Sequence, residues 1–260
     1  MRFLSSIIAL ILLAFPRMAA AQTYPFASLG SHATTTMDFD DFLVYHPVTM
    51  TGPMPLLTWS NPTFFDSWSF DKLIRLQASY GMIVVASHSL RTGSGADAIA
   101  GIDLMLSENV DPASKFFGMI NPDAIGAFGH SQGGAGTVNA VFKDARIKCT
   151  APLHPGAGPN YPTVKRNNGP MLVITGQSDS FSSPRFCETK VYNYQSGPTI
   201  LAVRRNATHY APVSALGGDT AYNHYVTAWF LRYLGGRDDL ASEFTVKLKT
   251  DTKFSKVLSK

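Results

Sequence analysis

The stretch Ala127-Phe-Gly-His-Ser-Gln-Gly-Gly134, AFGHSQGG, sets one hydroxyl, Ser131, among glycines directly after an apolar run. AIGAFG (124–129) has the short, non-alternating apolar character of a strand buried on both faces, and AGTVNAVFKDA (135–145) carries apolar residues at helical spacing. GHSQG (129–133) therefore fits G-x-S-x-G at a strand-to-helix turn. In such an elbow the serine occupies a strained turn, and the flanking glycines let the backbone close without Cβ clashes. Its hydroxyl then stands at a helix N-terminus, where free N–H groups and the helix dipole favour developing negative charge. The plain alternative is ordinary glycine-serine turn chemistry, and the rest of the chain decides between the two.

Working outward, the same alternation of strand and helix recurs. Apolar strand-like runs lie at MPLLTWS (54–60), GMIVVAS (81–87), CTAPL (149–153), MLVITG (171–176) and TILAVRR (199–205). Helical patterns lie at WSFDKLIRLQASY (68–80), ADAIAGIDLMLSE (96–108) and YNHYVTAWFLRYL (222–234). This order reads as an α/β domain with a mostly parallel central sheet flanked by helices. TTTMDF and FLVYHPV form a candidate antiparallel pair leading into that sheet. The Lys-rich end, 247–260, reads as a solvated tail.

Residues 1–21 stand apart. A basic start at Arg2, the apolar run Leu4 to Phe15 and the small residues Ala19 to Ala21 have the layout of a secretory signal peptide, with cleavage expected after Ala21. The apolar run is shorter than the roughly 20 residues that span a bilayer, and a retained N-terminal anchor is the alternative to cleavage. Residues 22–260 are then one exported domain, secreted or periplasmic, with no stable membrane insertion after cleavage and a monomer as the default. Losing Arg2 and Arg17 leaves 20 basic residues against 18 acidic, a net of +2 that is too small and scattered to argue for nucleic acid.

Two cysteines, Cys149 and Cys187, have no metal-site spacing, and neither a CxxC pair nor HExxH occurs. Export to an oxidising compartment favours a disulfide between them. RTGSGA (91–96) with Ala98 approaches a loose dinucleotide fingerprint, but its preceding strand ends too early. It reads as a loop and helix start at the edge of the site, and no cofactor is expected.

A nucleophilic serine needs a base and a third group to orient that base, and after an elbow these follow in the order acid, then histidine, on loops at strand ends. Asp179 lies three residues beyond MLVITG, and His209 lies in the loop after TILAVRR. Glu188 and His224 satisfy the order but fall inside helical patterns, and the other five histidines precede Asp179. Ser131, Asp179 and His209 are the expected triad. For the oxyanion, Gln132 supplies one backbone N–H, and the loop NPTF after MPLLTWS supplies the second. Pro62 has no N–H, so Thr63 is the first candidate and Phe64 the second.

WSNPT, SYGMIVVAS, GHSQGGAG, ITGQSDS, ATHYAPV and TAWFLRYL together resemble the secreted bacterial α/β-hydrolases grouped with cutinases, PET-hydrolase-like polyesterases, chlorophyllases and dienelactone hydrolases. The resemblance spans about Leu56 to Leu234. It implies an α/β-hydrolase fold with a minimal lid or none, cleaving short- to medium-chain carboxylic esters, lipids or polyesters through an acyl-serine intermediate. It assigns Ser131 as nucleophile, His209 as base and then acid, Asp179 as its orienting carboxylate, and the N–H groups of Thr63 and Gln132 as the oxyanion hole. Two departures stand out. The polyesterases commonly carry Met after the serine and Trp after the next strand, where this chain has Gln132 and PLHPGAG; Pro62 also replaces a family glycine. Leu153 or His154 would then line the acyl wall; Phe64 and Tyr210, from their places in the loops, are further candidate substrate contacts, with packing on the body of the domain as the alternative. A non-catalytic binding member of the fold and an amide or peptide hydrolase stay open as alternatives.

Overall fold

The computed structural model describes residues 22–156, 161 and 169–260; the expected signal segment lies outside them. Nine strands form one sheet in the order β1-β2-β4-β3-β5-β6-β7-β8-β9. They are β1 (Thr34–Phe39), β2 (Phe42–Pro47), β3 (Met54–Ser60), β4 (Ile83–Ser87), β5 (Ile120–His130), β6 (Ile147–Leu153), β7 (Met171–Gly176), β8 (Thr199–Arg204) and β9 (Phe254–Ser259). The six strands from β4 through β8 pair in parallel, and β1, β2 and β9 pair antiparallel at the two edges. The expected α/β architecture is therefore present, including the antiparallel lead-in TTTMDF and FLVYHP.

Among the described residues, four helices of nine or more residues flank the sheet: α1 (Asp71–Ser79), α2 (Ala96–Val110), α3 (Gln132–Lys143) and α4 (Thr220–Tyr233). Alternate side chains of each strand point to opposite faces. Leu57, Trp59, Val84 and Ala86 pack under α1 and α4, whereas Leu56, Ile83, Val85 and Ile125 pack under α2 and α3. Both faces are thus buried, and burial of each large aliphatic side chain contributes about 1.5–3 kcal/mol. Helix α4 starts where Asp219 accepts the backbone N–H of Ala221, an N-cap that satisfies one orphan donor. Among the described residues, no helix is long and apolar enough to cross a membrane.

Two expectations are corrected. The Lys-rich end is not wholly a solvated tail: FSKVLS (254–259) adds edge strand β9 antiparallel to β8. Its one lysine, Lys256, sits on an edge, where charge blunts further pairing. The disulfide is absent, and Cys149 and Cys187 are free, buried thiols. Cys149 belongs to the core under α1 and α4, and Cys187 to the core on the other face. The sheet separates them, and a disulfide requires Cα atoms within about 7 Å.

Candidate active site

The elbow forms because β5 runs into α3 through a single residue. Ser131 has φ 55° and ψ −119°, an uncommon conformation for a residue with a side chain. The turn is held from both sides: the Ser131 N–H donates to the Leu153 carbonyl at 3.0 Å, and the Ser131 carbonyl accepts from Gly156 at 2.7 Å and Ala135 at 3.0 Å. Neighbouring packing dictates the glycines. A Cβ on Gly129 would lie 2.6 Å from the Gly133 carbonyl oxygen, and one on Gly133 would lie 1.9 Å from that of Ser60. Backbone of α3 therefore rests directly on β3 and β5. Strain of this kind, typically about 1–3 kcal/mol, persists where the surroundings over-determine it.

The three residues selected by chain order meet at this point. The Ser131 hydroxyl donates to His209 Nε2 at 2.8 Å, and His209 Nδ1 donates to Asp179 Oδ2 at 2.8 Å. Ser131 is half-buried, His209 is 7% exposed and Asp179 4%, so only the serine end of the chain faces outward. Burial pushes the Asp179 carboxyl up, but donors from His154, His209 and the Ser182 backbone outweigh it and hold the group well below the usual carboxylate range. An ionised Asp179 can only accept, which makes Nδ1 of His209 the protonated nitrogen and leaves Nε2 free to take the serine proton.

The loop after β3 lies across from the elbow. Its anchor is Asn61, buried, whose amide donates to the carbonyls of Ser87 at 2.5 Å and Ser89 at 3.1 Å. The Asn61 side-chain oxygen accepts from Trp59 Nε1 at 2.8 Å, and its own carbonyl accepts from Thr92 Oγ1 at 2.6 Å. The Gln132 side chain bridges this loop to the elbow, donating to Thr63 Oγ1 at 2.8 Å and accepting from the Gly93 N–H at 3.4 Å. Gln132 is also the first residue of α3, so its backbone N–H has no partner within the helix. RTGSGA thus lies at the edge of the site, with Gly93 against Gln132. Phe64 follows Thr63 with φ 77° and is 87% exposed.

Two expected wall residues are elsewhere. The Leu153 side chain is fully buried in the core under α1 and α4, and only its carbonyl serves the elbow. His154, with φ 42°, is fully buried as well. Its Nδ1 donates to Asp179 Oδ2 at 2.6 Å and its Nε2 pairs with the Tyr222 hydroxyl at 2.7 Å. Both are buried because β6 stays paired through Leu153, and the residue after it, His154, turns inward onto the acid. Tyr210 is exposed beside His209, with ring centroids 5.6 Å apart, and Phe181 stands 5.3 Å from the same imidazole.

Two residues that sequence reasoning passed over, His130 and Asn61, also serve the site, and His154 serves it in a role other than the expected one. The variable position before the serine, His130, is buried and donates Nε2–H to the His209 carbonyl at 2.8 Å, fixing the loop that carries the imidazole. Burial, with His154 and His209 nearby, pushes its own basicity well down, so it stays neutral. Asn61 and His154 each directly follow a strand end, the one signal in the chain that could have marked them.

A strained serine at a strand-to-helix elbow on a mostly parallel sheet, with a buried acid and a histidine on the loops after the next strands, defines the class as α/β-hydrolase. The chain belongs to the PET hydrolase-like family, whose model matches residues 17–258. It is similar to Lipase 1 of Moraxella sp. (strain TA144), 25% identical over 60% of this chain and 48% of that protein. It is similar also to Cutinase est2 of Thermobifida alba, 26% identical over 60% of this chain and 52% of that protein. The bis(hydroxyethyl) terephthalate hydrolase of Streptomyces coelicolor is 25% identical over 60% of this chain and 50% of its own length. The chain's match spans about half the length of these curated relatives.

Proposed function

We propose that the protein is an exported, monomeric carboxylic ester hydrolase working through an acyl-serine intermediate. The observation that carries this reading is the hydrogen-bonded sequence from Ser131 through His209 to Asp179, with both links at 2.8 Å. His209 Nε2 takes the Ser131 proton as Oγ attacks the ester carbonyl, and the same proton passes to the departing alcohol. Water then enters by the same route: His209 deprotonates it, the new hydroxyl attacks the acyl carbon, and Ser131 leaves with the proton. Asp179 stays ionised and holds the imidazolium. The N–H groups of Gln132 and Thr63 receive the oxyanion, and the Gln132 to Thr63 side-chain bond keeps the two donors in register.

Names of the relatives support the ester over the amide: a lipase, a cutinase and a hydrolase of a terephthalate ester. Phe64, Phe181 and Tyr210, exposed by 87%, 64% and 42%, give the mouth an apolar rim suited to a hydrophobic acyl group. Short- to medium-chain acyl esters are the expected substrates, with lipids and polyesters as the bulky cases.

The test compares p-nitrophenyl butyrate hydrolysis by the wild type and Ser131→Ala. The variant is expected to lose at least about a thousandfold in kcat while keeping its fold. No wild-type turnover above buffer would sink the esterase reading, and full activity in Ser131→Ala would sink the mechanism. A series of p-nitrophenyl esters of rising chain length, beside triglyceride and polyester film, then ranks the substrates.

A further inference from the structure

The triad carboxylate has two imidazoles. Asp179 Oδ1 accepts the backbone N–H groups of Phe181 and Ser182, each at 2.8 Å, while Oδ2 accepts from His154 Nδ1 at 2.6 Å and from His209 Nδ1 at 2.8 Å. Orienting the base takes only the second of these, so the first calls for a reason. An ionised carboxylate is an acceptor alone, which makes both Nδ1 atoms N–H donors. His154 Nε2 is then left with a lone pair, and it accepts from the Tyr222 hydroxyl at 2.7 Å. Tyr222, fully buried in α4, is held in its protonated form by that burial, and its ring stacks on the imidazole at 20° with centroids 5.5 Å apart. The result is a chain of directed bonds from Tyr222 to His154 to Asp179, meeting at one oxygen the chain that arrives from Ser131 and His209.

The surroundings leave this arrangement as the main electrostatic influence on the base. His130 packs against both imidazoles, 5.6 Å from His154 and 4.8 Å from His209 between centroids, and is neutral. The Cys187 thiol, pushed up to about 11 by burial, is neutral too, and the Tyr210 ring lies 5.6 Å from that of His209 between centroids. Arg204 and Asp219, which both act on Tyr222, pair with each other at 2.8 Å. Burial holds His154 below the ordinary imidazole range, against the pull of Asp179. The charge that His209 meets is therefore that of Asp179 as His154 leaves it.

We propose that His154 is a positioning residue that clamps Asp179 in place and, by donating to the same oxygen as His209, moderates the negative charge available to the base. The inference rests on the reading of Ser131, His209 and Asp179 as a triad. A donor on Oδ2 spreads and stabilises the negative charge, so an imidazolium at His209 gains less from it than from a carboxylate devoted to it alone. His154 thereby keeps the base unprotonated, and the enzyme active, to lower pH. Being fully buried and tied to α4, it also holds the acid while His209 passes its proton back and forth.

The sign of the effect separates this role from a merely structural one. His154→Leu is expected to move the acid limb of kcat/KM to higher pH by about half a unit, or threefold in the protonation equilibrium of the base. His154→Asn, whose side-chain amide can place an N–H near the lost Nδ1, is expected to return the limb most of the way. Rates are followed with p-nitrophenyl butyrate at the isosbestic wavelength of the product, with thermal unfolding beside them. If His154→Leu lowers kcat and Tm but leaves the limb in place or moves it to lower pH, the residue is only a structural support and the proposal fails. Proton NMR of the wild type gives a readout that needs no folded Leu variant. Two Nδ1–H signals are expected far downfield of the amides, one of them lost in His154→Asn; a single such signal, from His209, overturns the proposal. Failure of the triad reading shows itself separately, as full activity in Ser131→Ala.

Discussion

Asp179→Asn changes one atom type at a site where four donors converge. The amide has two orientations. If its oxygen faces the two imidazoles, the NH₂ group confronts the backbone N–H groups of Phe181 and Ser182, which cannot change their protonation. Two donors, that of Ser182 buried and that of Phe181 partly so, then lose their acceptor, at about 1–3 kcal/mol for the buried one. If the oxygen faces the backbone instead, the NH₂ group meets Nδ1 of His154 and of His209, and each ring can respond by moving its proton to Nε2. The second orientation costs less and is the one expected. Its consequence at His209 is severe, because an Nε2–H donor faces Ser131 where an acceptor is needed. The corresponding substitution in a serine protease triad costs about ten thousandfold in kcat, about 5.4 kcal/mol of transition-state stabilisation. The same loss in kcat is expected here, with KM little changed and Tm lowered by the loss of charge-assisted bonds. Steady-state kinetics on p-nitrophenyl butyrate and thermal unfolding by circular dichroism measure both. A kcat within tenfold of the wild type would show that Asp179 does not set the tautomer of the base, and the argument from its four donors would be wrong.

Two further outcomes follow from packing. Gly133→Ala puts a Cβ 1.9 Å from the Ser60 carbonyl oxygen and 2.6 Å from that of Asn61, so α3 must lift from β3 and carry the Gln132 N–H with it. Tm is expected to fall by the equivalent of about 3 kcal/mol, and kcat by about a hundredfold, since displacement of a catalytic donor by about 1 Å suffices for that; wild-type values of both would refute the close approach. For the thiols, dithionitrobenzoate is expected to react with neither Cys149 nor Cys187 in the folded protein and with both in denaturant. Tm should be unmoved by reductant, and the appearance of no thiol on unfolding would restore the disulfide.

Much of the architecture could be read from local pattern. Every strand expected in the parallel part of the sheet is present, because strands buried on both faces need uninterrupted apolar runs such as MLVITG and IVVAS. Strand β9 escaped notice for the converse reason. FSKVLS is an edge strand, its pattern diluted by Ser255 and Lys256, and it is a strand only because β8 offers it a ladder. Ser131, Asp179 and His209 were selectable because each lies in the turn or loop after a strand, and chain order together with the helical patterns around Glu188 and His224 then left one acid and one histidine.

By itself, the sequence determined the strand and helix succession, the elbow with its glycines, and the order in which an acid and a base follow it, since these depend on residues close together in the chain. Only the tertiary structure decided which side chains share a partner. His154 stands 25 residues before Asp179 and Tyr222 stands 68 after His154, and no local pattern joins them. The same holds for the cysteines, which compartment chemistry would bridge and the sheet keeps on opposite faces. A hydrogen bond or a disulfide depends on positions to within about an ångström. Periodicity in a sequence specifies which face a residue takes, and the distance across that face is set only when the whole sheet has packed.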